Sequence, residues 1–123
     1  MSVRVKRAYE PSSPEDGVRV LTERLWPRGI AKEKLAIDAW LREIAPSPEL
    51  RRWYNHEPEK WDEFQRRYRR ELQGPRQQDL VAELAEKAAA GTLTLVYGSR
   101  DTERNSSVIL AEVIRERIAR KDR

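Results

Sequence analysis

The sequence predicts a single α/β domain over residues 1–123, with a small sheet of about three strands covered by several helices. Two observations carry that prediction. Val3 to Tyr9, Val18 to Leu25 and Thr92 to Tyr97 have the alternation or the apolar, β-branched composition of strands. Between and after them, apolar residues recur every three to four positions, the period of a helix that buries one face. No internal repeat, low-complexity tract or linker divides the chain, and its length is enough to bury one core without staples.

Val3 and Val5 alternate with Arg4 and Lys6 in the first strand. Pro11 to Gly17 then leads into the second, Val18 to Leu25. A link this short suits a hairpin, since a parallel crossover usually takes roughly a dozen residues or more. Ser13 to Gly17 also fits one helical turn, with Ser13 as cap, Pro14 first and Gly17 as the stop, so the direction of this pair stays open. From about Lys32 the pattern reads as a helix in which Ile37, Trp40, Leu41 and Ile44 share a face and Pro46 ends it. Ser47 caps a short helix running to Tyr54, with Pro48 in its first position. Pro58 opens the next, with Trp61, Phe64, Tyr68 and Leu72 inward until Gly74-Pro75 breaks it. Arg76 to Ala90 follows, with Leu80, Val81, Leu84 and Ala88 inward and Gly91 as the stop. Thr92 to Tyr97 is the strongest strand signal, and the final helix is capped near Asn105 or Ser106, with Leu110, Val113, Ile114 and Ile118 inward. Trp40, Trp53 and Trp61 read as core aromatics at helical spacing.

Composition excludes several chemistries. The chain has no cysteine, so disulfides, thiolate nucleophiles and cysteine-ligated metals are ruled out, and its single histidine makes a histidine-rich metal site untenable. No metal or other cofactor is expected. Neither an apolar targeting region nor a spanning segment occurs, so a cytoplasmic location without a membrane partner is expected. Lys and Arg outnumber Asp and Glu by 25 to 21, an excess that permits an anionic partner without demanding one.

The most informative local feature is Glu23 to Gly29, where an apolar run ends in a Trp-Pro turn flanked by Arg24 and Arg28. Arginine's fixed fork of donors suits carboxylate or phosphate, which favours an anion site, although pairing of both arginines with Glu23 or Asp16 would explain them as well. In open α/β sheets ligands collect beyond the carboxyl ends of the strands, so this segment should meet Gly98 to Ser107. There Asn105, Ser106 and Ser107 could hold an anion at a helix start or simply cap it. Neither phosphate-binding glycine pattern is present. Leu50 to Pro58 contains the lone His56, which alone reads as a capping or surface residue. Arg51 and Arg52 are adjacent and point different ways, which leaves one of them to face a pocket. The cluster Arg66, Arg67, Arg69 and Arg70 with Tyr68 inside it could be a nucleic-acid footprint, but Asp62, Glu63 and Glu71 lie within pairing distance and favour a solvated face.

Taken together, Asp16 to Leu21, the Arg24 to Gly29 turn, Ala45-Pro46-Ser47, Leu50 to Trp53 with His56 and Pro58, and then Trp61, Phe64, Arg67-Tyr68 and Glu71-Leu72 resemble the DUF488 family of unknown function, in particular its short bacterial YeaO-like branch. The resemblance runs from about Val3 to the final helix. It implies a mainly parallel sheet in which the first crossover has shrunk to the turn at Ser13 to Gly17. Two departures stand out: Glu23 replaces the family's usual Asp, and Asn105-Ser106-Ser107 replaces the branch's usual Asn-His-Ala. Ser106 cannot exchange protons near neutral pH as a histidine does, which leaves His56 as the only imidazole.

The leading expectation is a pocket for an anionic small molecule, a nucleotide, phosphate ester or carboxylate, with or without a reaction. Arg24, Arg28 and one of Arg51 or Arg67 would hold charge, Trp26 would pack on a flat part of the ligand, and Asn105 and Ser106 would add donors. Glu23, Asp101 and His56 are the candidates for proton transfer. The alternatives are a nucleic-acid-binding accessory protein using the Arg66 to Arg70 face and an interaction module without a ligand.

Overall fold

A computed structural model describes residues 1–121. The strands are β1 (Ser2–Arg7), β2 (Val18–Leu21), β3 (Ala39–Trp40) and β4 (Thr92–Tyr97), and the helices are α1 (Pro48–Tyr54), α2 (Trp61–Glu71), α3 (Pro75–Ala90) and α4 (Ser106–Lys121). The strands form one sheet in the order β1-β4-β2-β3, with every neighbouring pair parallel. Central β4 pairs on both sides, Leu95 opposite Val5 and Val20, and its apolar sequence is what a doubly covered parallel strand requires.

The link between β1 and β2 is a 3-10 turn at Pro14–Asp16, so the hairpin alternative fails and the short crossover implied by the resemblance is present. Ser13 caps the turn, and the Asp16 carboxylate accepts the Ser13 N–H in return. Gly17 ends it at φ +63°, where an added Cβ would lie 2.2 Å from the Thr92 carbonyl oxygen. Only glycine lets β2 enter the sheet this close to β4.

Successive residues point to opposite faces, so the two sides of the sheet have different cores. Val20, Leu93 and Leu95 join the large cluster with Tyr54, Phe64, Tyr68, Leu84, Leu110 and Ile114, to which all four α-helices contribute. Leu21 and Val96 face a second, smaller cluster with Ala8 and Leu35, against which Trp26, Ile30, Ile37 and Trp40 pack.

That second face corrects the expected helix from Lys32 to Pro46. The segment contains only 3-10 turns at Lys32–Lys34 and Arg42–Ile44 around β3. Ile37 and Trp40 pack on one face of the sheet, while Leu41 and Ile44 belong to the other. The Asp38 and Leu41 N–H groups donate to the Arg19 and Leu21 carbonyls at 2.7 and 2.9 Å, and buried Arg19 donates to the Ala36 carbonyl. An unpaired β2 edge therefore recruits this stretch as a fourth strand, and tertiary hydrogen bonds override its helical spacing.

The other boundaries are closer to expectation. β2 ends at Leu21, not Leu25, although the Thr22 N–H still donates to the Val96 carbonyl at 3.2 Å. α1 is capped by Ser47 and β4 covers the expected residues. Trp40, Trp53 and Trp61 are only half buried, and the enclosed aromatics are Tyr54, Phe64, Tyr68 and Tyr97. No described helix is long and apolar enough to cross a membrane.

Candidate functional site

The carboxyl ends of β2 and β4 are tied together by one carboxylate. Glu23 Oε1 accepts the Gly98 N–H at 2.8 Å, while the Glu23 carbonyl accepts the Trp40 indole N–H at 2.6 Å. Arg24 turns toward α1, its Nε donating to the Pro46 carbonyl at 2.8 Å. Behind these, the Thr22 and Ser107 hydroxyls meet at 2.9 Å in the interior and fix the start of α4 to β2.

Between these strand ends, the exit of α1 and the start of α4 lies a cleft of about 850 Å³. Its lining includes Glu23, Arg24, Arg51, His56, Asp101, Asn105 and Ser106 of the expected residues, drawn from three separate segments. His56 reaches it because α1 stops at Asn55, which with His56 takes left-handed backbone, φ 47° and 55°. Asparagine tolerates that conformation, and Pro58 then starts the next turn. His56 is exposed at the cleft wall.

Asp101 is a structural cap. Its carboxylate accepts the Glu103 and Arg104 N–H groups at 3.0 and 2.9 Å and pairs with Arg104 Nε at 3.0 Å. The Arg104 and Glu103 N–H groups hold it below the usual carboxylate range, with the Arg104 guanidinium adding to the effect. Asn105 is buried and is the cap of α4: its Oδ1 accepts the Val108 N–H at 3.1 Å, and its Nδ2 donates to the Asp101 carbonyl at 2.9 Å. Burial also pushes the Tyr54 hydroxyl's pKa upward beneath this wall.

Two expected residues stand beside the cleft and one lies away from it. Trp26 and Arg28 line an adjoining hollow of about 610 Å³. Trp26 is largely structural, its Nε1–H donating to the Ile30 carbonyl at 2.6 Å and its ring edge-on to Trp40 at 5.4 Å. Arg67 lines neither space; it lies over Trp53 at 4.1 Å and pairs with Glu63 at 2.9 Å, because its position on α2 faces that tryptophan. Nor do Arg24 and Arg28 pair with Asp16, which instead binds Lys6 and Arg19.

Arg100 and Arg104, which the sequence did not single out, also line the cleft. Arg51 and Arg52 both reach it, contrary to the expectation that one would, because the cleft wraps around the last turn of a helix that ends there. Arg100 carried a usable signal, since it follows a strong strand by three residues, where such sheets bind ligands. On α2, Arg66 pairs with Glu63 at 2.9 Å, and Arg69 pairs with Glu112 and Glu116 at 2.9 and 3.0 Å.

Residues 2–123 match the family model described as the inactive DUF488-N3 subclade. The uncharacterized protein Rv3073c of Mycobacterium tuberculosis is 41% identical over 115 residues, which cover 94% of this chain and 95% of that one. The uncharacterized protein YeaO of Escherichia coli K12 is 40% identical over 115 residues, covering 94% and 98%. No solved structure gives a significant match.

Proposed function

The chain belongs to the DUF488 family, and from that premise we propose that it is a binding protein whose cleft holds a small anion, a phosphate ester or carboxylate, without turning it over. One observation carries the reading. Arg51, Arg52 and Arg100 converge on the cleft from two separate segments, and among the described residues none of them pairs with a carboxylate. Like charges gathered in a concave wall repel one another until a counter-ion enters, and the same geometry concentrates anions there. Guanidinium groups match the planar, bidentate edge of phosphate or carboxylate.

Binding without turnover accords with the state of the proton-transfer candidates. Glu23 is engaged by the Gly98 N–H, Asp101 by three donors, and His56 makes no hydrogen bond among the described residues, so no acid–base pair is assembled. Ser106 stands where the branch usually has histidine, and the matching subclade is described as inactive. The nucleic-acid alternative is weakened because three of the arginines on its face, Arg66, Arg67 and Arg69, are engaged by glutamates. A cysteine-free chain is compatible with a cytoplasmic setting.

Melting curves and titrations with inorganic phosphate and citrate test the reading. Binding that weakens with salt is expected, and Arg51→Ala or Arg100→Ala should each reduce affinity about 10- to 150-fold, the loss of one charged hydrogen-bonding group worth about 1.5–3 kcal/mol. Anions that leave both the melting temperature and the titration unchanged would overturn it.

A further inference from the structure

We propose that the hollow beside the cleft is a platform for a planar ring, so that the preferred ligand joins an anionic group to an aromatic ring, as a nucleoside monophosphate does. This rests on the anion-binding reading of the cleft. The hollow and the cleft share Glu23, Arg51, Gly98 and Arg100 in their linings, so they form one continuous groove with two arginines at its waist. An anion held there would leave the rest of its molecule extending into the hollow.

The hollow's lining suits a ring. Tyr9 and Leu25, from different loops, are 46% and 62% exposed, and with Met1 they are the large hydrophobic residues left exposed among the described residues. Their meeting in one concavity beside Arg7, Arg28, Arg51 and Arg100 is unlike scattered surface apolarity. Tyr9 is also held in place. Its hydroxyl donates to the Arg28 carbonyl at 2.8 Å, and the Arg7 guanidinium lies 4.8 Å from its ring centre. Arg7 is itself fixed, its Nε donating to the Ser99 carbonyl at 2.8 Å. A tyrosine already immobilised loses little freedom when a ring packs on it, and tyrosine and guanidinium planes both stack on nucleobases whatever the base. Tyr9 therefore takes the stacking role that the sequence suggested for Trp26, whose ring is committed to the second core cluster.

The test compares inorganic phosphate, ribose 5-phosphate and AMP in titrations of the full chain, read by tryptophan fluorescence and by melting temperature. AMP should bind more tightly than ribose 5-phosphate by about 5- to 150-fold, the range of one base–aromatic stack. Tyr9→Ala should remove that advantage while leaving ribose 5-phosphate affinity within about twofold, and Tyr9→Phe, which keeps the stacking ring but loses the tether to the Arg28 carbonyl, should retain most of it. Equal affinity of the wild type for AMP and ribose 5-phosphate would overturn the ring platform and leave the anion site standing. An advantage that survives Tyr9→Ala would overturn the assignment of Tyr9. Failure of all three ligands to bind would overturn the anion reading and this one with it.

Discussion

Asp16, which the sequence offered as a possible partner of Arg24 and Arg28, is instead the centre of a buried charge cluster with Lys6 and Arg19. It is fully buried and accepts Arg19 Nη1 at 2.6 Å, Lys6 Nζ at 3.1 Å and the Ser13 N–H at 3.1 Å. Burial alone would raise its pKa, but the Ser13 N–H, Lys6 and Arg19 outweigh burial and hold the carboxyl below its ordinary 3.8. A folded value below the unfolded one means that this carboxylate stabilises the fold above the unfolded pKa, and that the contribution is lost as pH falls through the folded pKa. Asp16→Asn leaves the buried Arg19 charge without its partner. It should cost about 3–5 kcal/mol at pH 7, and the gap from wild type should narrow below about pH 4. Urea unfolding of both proteins at pH 7, 4 and 3 checks the size and the sign.

At the scale of elements, the joints are more demanding than the elements they join. Gly17 brings β2 against Thr92 with a backbone that disfavours side chains. Gly17→Ala should therefore destabilise by about 2 kcal/mol or more, whereas Gly29→Ala, at φ +79° with nothing within 4 Å of the added Cβ, carries backbone strain alone and should cost less. Denaturant midpoints of the two variants give the comparison. Ser47 is a second joint: its hydroxyl caps α1 by accepting the Leu50 N–H at 3.2 Å and donates to Glu71 of α2 at 2.6 Å. Ser47→Ala removes both bonds and should lower stability by about 1–2 kcal/mol, measurable as a fall in melting temperature.

Across the whole molecule, the core and the proposed anion site are physically separated. The large cluster of helices on one face of the sheet contains fully buried Leu84, while Arg51 is exposed at the rim where the strands end. Leu84→Ala should cost about 2–5 kcal/mol through lost burial and the cavity left behind. Arg51→Ala should stay within about 0.5 kcal/mol of wild type, because it loses no buried contact and no ion pair among the described residues. Thermal melts of the two without added anion check the separation, and an Arg51→Ala melt as low as that of Leu84→Ala would make the arginine structural.

The sequence by itself determined the elements whose signals are local. Ser47-Pro48 starts α1, Gly74-Pro75 separates α2 from α3, Gly91 stops α3, and the apolar run Thr92 to Tyr97 is β4. It also pointed to the strand ends, where Arg24, Asp101 and Asn105 line one cleft while Arg28 stands in the hollow beside it. Tertiary structure alone decided whatever depends on partners distant in the chain. Lys32 to Pro46 has helical spacing, yet an open β2 edge and the buried Arg19 side chain draw it into the sheet, since unpaired backbone donors and acceptors cost more than a modest local propensity returns. The roles within the cleft were decided in the same way. Asp101 and Arg51 are both charged residues in loops or helix ends, and nothing in their spacing says that one is occupied in capping a turn while the other faces the cleft without a carboxylate partner among the described residues. Hydrogen-bond saturation is a property of three-dimensional neighbours, and those neighbours exist only once the sheet has closed.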